Sequence, residues 1–514
     1  VLFPDTESAR LADLIKDGAR AWSMGELQWV RDYAASHKPD GYDAHAKVVV
    51  DLYEGNGEAH LLAAAKDRFE NRHSIMTPVP LNRMRQVCAA DSGVYRLQPS
   101  RSGVSKSTGA PVADDVAKRL ATLIGRTQIA SIAPEVERRV IGAQTVFVKP
   151  RWQRGLGKPG RIAVDVFWPR DVAVVCHPTM PDSLDAAVIL LARTGSTAGK
   201  DWFALWVRTP VEDEFGNVVE FSPWRVHVVS SQGDYSIPPN DPRTLYVDAA
   251  GKPLPLPWTV VRLGLPSGNV FVAPDRDLPK MLLGLSVDAS AERLNADLLA
   301  TTPLVYKGDQ RKAADIPFGT GEMMQVGEGE DITTLQLNPH LEEMRGMRAQ
   351  FERDLAKSRD NNPNAYVAEA GQPESGIARL IAQAPHEAKL DEHSLVFRDW
   401  EQEQFWPSVL RLHDAFSGEV PFGDDIEVRV TMRRAPPIEE PEAKGRRLQA
   451  EYDAGVISLA QMAVELGRYA DVADAKKAGL SDELGKKAPT SPLFNLGEPA
   501  PDGEPAPAAG GGRQ

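Results

Sequence analysis

The sequence predicts an α+β protein, and three observations carry that prediction. Apolar residues recur every three or four positions over much of the first 70 residues. Between 144 and 272 the composition shifts to Val, Ile, Trp and Phe broken by Gly and Pro, the mark of short strands and turns. From Leu278 the helical spacing returns. With 514 residues, 42% of them hydrophobic, the chain can fill a sizeable core. A chain of this length is expected to form about two to four structural units.

Within 6–35, Leu11, Leu14, Ile15, Ala19 and Trp22 mark one helical face, and 59–69 behaves similarly. The stretch 87–97 fits a helix or a strand, and 114–124 reads as a helix. Strands are expected at 145–149, 162–168, 187–193, 202–208 and 225–230 in a mostly antiparallel sheet. Phe215-Gly216-Asn217 supplies a turn between two of them. Leu278, Leu282, Leu285 and Ala289 then share a helix face that continues to about Ala300. A Gly-rich stretch at 301–339 follows, with short β-prone pieces at Leu304-Val305-Tyr306 and 333–337. Leu341, Met344, Met347, Phe351 and Leu355 mark a second helix. Helices of ~20 residues span about 30 Å. Their matched lengths predict two helices side by side, with the intervening excursion at their far end.

Asn361-Asn362-Pro363-Asn364 and Gly371-Gln372-Pro373 make 360–375 a loop. A long helix is expected from about Gly376 toward Phe416, kinked or interrupted at Pro385 and Pro407. The segment 426–432 alternates as a strand. Two short helices within 442–466 should part at a left-handed Gly455, with Ser458 capping the second. Beyond Pro489 the abundance of Pro, Gly, Ala and Glu predicts disorder.

The net charge of −13 argues against a protein that grips DNA through many phosphate contacts. It suits a wall along which a duplex slides, because tight phosphate pairing would act as a brake. Cys88 and Cys176 lack metal-ligand spacing and read as small core residues of a reducing compartment. Val1-Leu2-Phe3-Pro4-Asp5 shows no basic segment before an apolar run, so no signal peptide is expected. The longest apolar run, near 186–192, falls far short of the roughly 20 residues of a membrane span, and the chain is expected to be soluble and intracellular when it folds.

Gly155-Leu156-Gly157-Lys158-Pro159-Gly160 has dinucleotide-loop spacing but precedes a strand-like segment, so it reads as a hairpin loop. The stretch 195–201 is one residue short of a P-loop, and Asp201 stands where a hydroxyl should hold magnesium. His386 and His393 read as solvated helix positions. The acidic clusters at 328–331, 424–425 and 439–440 lack the spacing of a calcium loop. No catalytic constellation emerges, and neither a metal nor a cofactor is expected.

Two stretches resemble the portal proteins of tailed bacteriophages, the head-to-tail connector family. One is Gly371-Gln372-Pro373-Glu374-Ser375-Gly376-Ile377-Ala378-Arg379-Leu380, continuing to Ala388-Lys389-Leu390. The other is 448–457, with Gly455-Val456-Ile457-Ser458 parting two helices. The strand 426–432 followed by Pro436-Pro437 is also similar to portals, as is the order of elements over most of the chain. The resemblance implies an α/β wing at 1–277, a stem of two helices at 278–300 and 340–359, and a small β-containing clip at 301–339. It further implies a tunnel loop at 360–375, a long helix returning to the wing at 376–434, and a helical crown at 435–485. A disordered tail would occupy 486–514.

The implied protein is not an enzyme. It is a homo-oligomeric ring of twelve subunits at one capsid vertex of the virion, assembled in the host cytoplasm. Double-stranded DNA would pass through it non-specifically during packaging and ejection. Its partners would be the major capsid protein, scaffold, terminase and a head–tail adaptor, with no membrane and no cofactor. Asn364, Tyr366, Glu369, Gln372, Glu374 and Ser375 would face the DNA. Leu282, Leu285, Met344, Phe351 and Leu355 would make stem contacts. Arg345, Arg348, Arg353, Lys357 and Arg359 fit either subunit contacts or a channel lining. The rival readings are a phage structural protein without a channel, and an enzyme whose site is assembled from distant residues.

Overall fold

Every strand pairing among the described residues is antiparallel, and helices flank the strands, so the fold is mixed α+β. The computed structural model describes residues 6–16, 20–69, 77–81, 83–153, 160–177, 180–197, 199–212, 218–266, 269–300, 304–307, 331–334, 341–362, 376–433, 441–455, 457–466, 472–477 and 479–480. Two units form: Val1–Pro373 with Ile381–Ala435, and Glu374–Leu380 with Pro436–Gln514.

The first unit begins with α1 (Thr6–Lys16) and α2 (Met24–Ser36). A capping box starts α2: the Ser23 hydroxyl accepts from the Glu26 N–H, and the Glu26 carboxylate accepts from the Ser23 N–H. Next come α3 (Tyr42–Glu54), α4 (Glu58–Phe69) and α5 (Arg83–Asp91). The ambiguous stretch 87–97 thus divides into a helix end and a turn. The buried Glu137 carboxylate receives that turn's N–H groups from Gly93 (2.7 Å) and Val94 (2.9 Å). Then follow β1 (Ser100–Ser105), α6 (Asp114–Thr127) and α7 (Ile129–Ala143). Gly142 lets α7 approach closely, since a side chain there would press on Met84 and Cys88.

The sheets are built from β2 (Thr145–Gln153), β3 (Arg161–Phe167), β4 (Val172–Cys176), β5 (Ala187–Thr197), β6 (Lys200–Val207), β7 (Pro210–Glu212), β8 (Val218–Phe221), β9 (Arg225–Ser230) and β10 (Thr259–Arg262). One sheet has the order β10-β2-β3, another β4-β5-β6-β9, and β7 pairs with β8. Side-chain alternation assigns their faces. Val146 and Val148 of β2 turn toward α7, while Phe147 turns the other way. Phe203, Leu205 and Val207 of β6 turn toward α1 and α2, while Ala204 and Trp206 join Phe147. The layers therefore run helix, sheet, sheet, helix. The first half of β2, β4, residues 187–192 of β5 and 203–207 of β6 are buried on both faces, which explains why these segments read as nearly continuous apolar runs.

After the sheets come α8 (Asp277–Ala300), β11 (Leu304–Lys307), β12 (Asp331–Thr334) and α9 (Leu341–Ser358). The two strands pair, Leu304 opposite Thr334 and Lys307 opposite Asp331. Next is α10 (Gly376–Asp399), then a π-helical turn Trp400–Phe405, then α11 (Trp406–Phe416). Pro385 lies inside α10 and does not interrupt it. At Pro407 the expected irregularity is present as the π turn just before it, since the missing N–H leaves the preceding ladder incomplete. The buried Glu401 of this turn accepts from Tyr95 (2.8 Å), Arg101 (2.6 Å) and Trp406 (3.0 Å). Finally β13 (Ile426–Thr431) pairs with β1, from Ser100 opposite Thr431 to Ser105 opposite Ile426.

In the second unit, α12 (Pro441–Asp453), α13 (Leu459–Glu465) and α14 (Val472–Lys477) bury Leu448, Ala460 and Ala475. Gly455 has φ +73°, and the Ser458 hydroxyl accepts from the Gln461 N–H at 3.2 Å. The expected C-terminal tail, the turn at 215–217 and the acidic pair 439–440 lie outside the described residues.

Candidate functional site

Among the described residues, α8 and α9 are two long helices separated in sequence by the paired strands β11 and β12, so their geometry bears most directly on function. The helices run antiparallel. At one end Leu278, Leu282 and Leu285 of α8 share a buried cluster with Leu355 and Ala356 of α9 and with residues of α3 and α5. At the other end Asn295 of α8 meets the Met344 sulfur at 3.5 Å. Between them Glu292 accepts from Arg345 (2.7 Å) and Arg348 (2.6 Å). Outside this inner seam, Met347 is 74% exposed and Phe351 41%. They are four residues apart on α9 and lie on one face.

The root of the pair is ionic. Asp275 caps α8 by accepting from the N–H groups of Asp277 (3.1 Å) and Leu278 (3.2 Å). Its other oxygen takes the Arg359 guanidinium at 2.8 Å. Burial pushes the Asp275 carboxyl up, but the Leu278 N–H and the Arg359 charge outweigh burial and hold it below the usual range. Arg359 also donates to the fully buried Asp91 at 2.6 Å. Asn361 donates to the second Asp91 oxygen, and Lys389 of α10 stands 3.8 Å away. Thus one carboxylate ties together residues that precede Asn362 and a residue of α10.

The chain reaches that point through a left-handed helix end. Asp360 has φ +60°, its N–H donates to Lys357 O (3.1 Å), and the Asn361 N–H donates to Ala356 O (2.9 Å). This is a Schellman motif with Asp where Gly is usual. The carbonyl of Arg359 is then free to accept from Lys389 Nζ at 3.0 Å.

One sequence expectation changes here. His386 is buried rather than solvated, and burial lowers the pKa of both His386 and His393, that of His393 to about 4. Of the cationic positions, Arg345, Arg348 and Arg359 pair with carboxylates of the same chain, and Lys357 stands 3.9 Å from Asp354. Arg353 donates to Gln350 at 3.3 Å. Of the expected stem contacts, Leu282, Leu285 and Leu355 are buried within the subunit, Met344 is half-buried at the inner seam, and Phe351 faces outward. Asn364, Tyr366, Glu369, Gln372, Glu374 and Ser375 lie outside the described residues.

Neither nucleotide-loop motif gains support from its surroundings. Gly160 leads into β3, which pairs back on β2, so no helix follows the motif. Gly195 to Asp201 lies in the β5–β6 hairpin, and the Asp201 carboxylate takes Arg193 at 2.8 Å. Among the described residues no group of three or more His, Cys, Asp or Glu is placed to hold a metal ion. No described helix is long and apolar enough to cross a membrane. Sequence spacing marked the helix pair but not Asp91 or Asp275. The latter had a local signal, an Asp placed just before an apolar helix. No protein-family model matches the chain, and no curated protein matches it in sequence.

Proposed function

We propose that the chain is a portal protein of a tailed bacteriophage, one subunit of a closed ring that conducts double-stranded DNA. One observation carries the proposal. The antiparallel α8–α9 pair is fixed to a buried core at one end, holds the paired strands β11 and β12 between its helices in sequence, and leaves Met347 and Phe351 exposed on its outward face. In a ring each subunit presents one face to a different face of its neighbour, and an outward apolar stripe on a paired helix suits such a contact. The pair would be the stem and the excursion the clip, on which terminase and later an adaptor would dock. The Asp91 network would root the tunnel loop. DNA passage needs no bound cofactor and no reactive group on this chain. The acidic balance of the protein suits passage better than capture.

Negative-stain images of the purified full chain test this. End-on views should show annuli with a central hole wide enough for a duplex. Monodisperse monomers at high concentration would overturn the ring, and closed particles without a bore would favour a structural protein that conducts nothing.

A further inference from the structure

Lys149 occupies an unusual place for a lysine. It follows Phe147 and Val148 in β2, and by alternation its side chain enters the layer between the two sheets. Its ammonium lies 5.1 Å from the Trp206 ring centroid and 5.2 Å from that of Trp258. Both indoles are buried and braced from behind, Trp206 by Tyr246 (5.0 Å) and Trp258 by Phe167 (4.8 Å). The nearest candidate counter-ion, Asp165, stands directly opposite on β3 but takes the Arg151 guanidinium at 2.7 Å. Among the described residues, nothing accepts a hydrogen bond from Lys149 Nζ. The side chain is nonetheless partly exposed. A buried lysine ordinarily finds a carboxylate; this one has two aromatic faces and a route to solvent.

We propose that Lys149 is a covalent modification site, an amine that condenses with small aldehydes to form an imine. The nitrogen lone pair attacks the carbonyl carbon, and the carbonyl π electrons move to oxygen. The resulting carbinolamine loses its hydroxyl as water while nitrogen gives up its hydrogen and the C=N bond forms. Amine and aldehyde yield imine and water, with no net oxidation. The site suits this product over an amide for a stated reason. A protonated imine keeps its positive charge between the two indole faces, whereas an acylated nitrogen would lose that attraction.

Burial pushes the Lys149 ammonium down to about 8; Asp165 opposes the shift and Arg151 adds to it. Against the ordinary lysine value of 10.5, that leaves on the order of a hundredfold more free amine near neutral pH. Lys149 is therefore expected to carry far more free amine near neutral pH than exposed lysines such as Lys106 and Lys118.

The test treats the full chain with salicylaldehyde, traps the imine with cyanoborohydride, and maps modified lysines by peptide mass spectrometry across a pH series. Lys149 should be modified faster than Lys106 and Lys118 near neutral pH, by up to about a hundredfold, with its rate levelling off near 8. Asp165→Asn, at a half-exposed position, removes the charge that favours the ammonium and should move that inflection lower. Lys149→Met should lose the label and keep the circular dichroism of the parent chain. Labelling of Lys149 no faster than of the two exposed lysines would overturn the proposal. So would an inflection in the ordinary lysine range, and the amine would then be a packing element between the sheets.

Discussion

The root and the outer stretch of the α8–α9 pair share two helices yet rest on different physics. At the root, a dry carboxylate at Asp91 meets Arg359, Asn361 and Lys389, and Leu282, Leu285 and Leu355 fill the space beside it. Farther along, Glu292 holds Arg345 and Arg348 in partly solvated pairs, and the outward face shows Met347 and Phe351 to water. Ion pairs in water contribute little, while a buried charge stripped of its partner is costly. The root is therefore where the subunit's own stability resides, and the outer stretch is where stability can come from another molecule.

Asp91→Ala should have the largest effect, because it removes the buried carboxylate that Arg359 and Asn361 share. A loss of about 3–5 kcal/mol is expected from chemical denaturation of the monomeric subunit. Leu282→Ala should cost about 2–4 kcal/mol in the same measurement, through lost burial and a residual cavity. If both changes left the denaturation midpoint within error of the parent, the distinction between root and tip would collapse.

The pH dependence sharpens the contrast further. His393 is held neutral, its folded pKa of about 4 lying below the ordinary 6.5, first by burial and then by Lys389. Between those values the unfolded chain binds the extra proton, so stability falls as pH drops below 6.5. His413 has the opposite sign. Burial opposes its charge, but Asp414 and Glu419 outweigh burial and raise its pKa. Its contribution is full below the ordinary value and fades as pH rises through the folded pKa. Denaturation midpoints at about pH 7 and pH 5 should therefore show a smaller acid loss in His393→Gln than in the parent, and a larger one in His413→Gln. The smallest change to the subunit should come from Met347→Asp combined with Phe351→Asp. Its folding stability should stay within about 0.5 kcal/mol of the parent, while sedimentation should show monomers where the parent, on the proposed reading, forms a ring.

Much of this organisation is legible in local patterns. The left-handed Gly455 and the Ser458 cap follow from residue chemistry alone, and both helices of the pair announce themselves by spacing. Other elements carry no such signal. In α7, Pro134 sits among β-branched residues, and the helix is held by packing against β2 and α5 rather than by propensity. The short strands β4 and β10 exist because the strands beside them need partners. Asp91 and Arg359 lie 268 positions apart, and no local rule connects them.

The pairing of β1 with β13 has a consequence for biosynthesis. The partner of Ser100 is Thr431, so more than 300 further residues must leave the ribosome before the β1 edge is covered. Contacts of such long sequence separation form late and slowly. Throughout elongation the nascent chain carries an open strand edge, a template for unwanted pairing with other chains. A chaperone that shields this edge during synthesis should raise the yield of folded protein more than one acting after release.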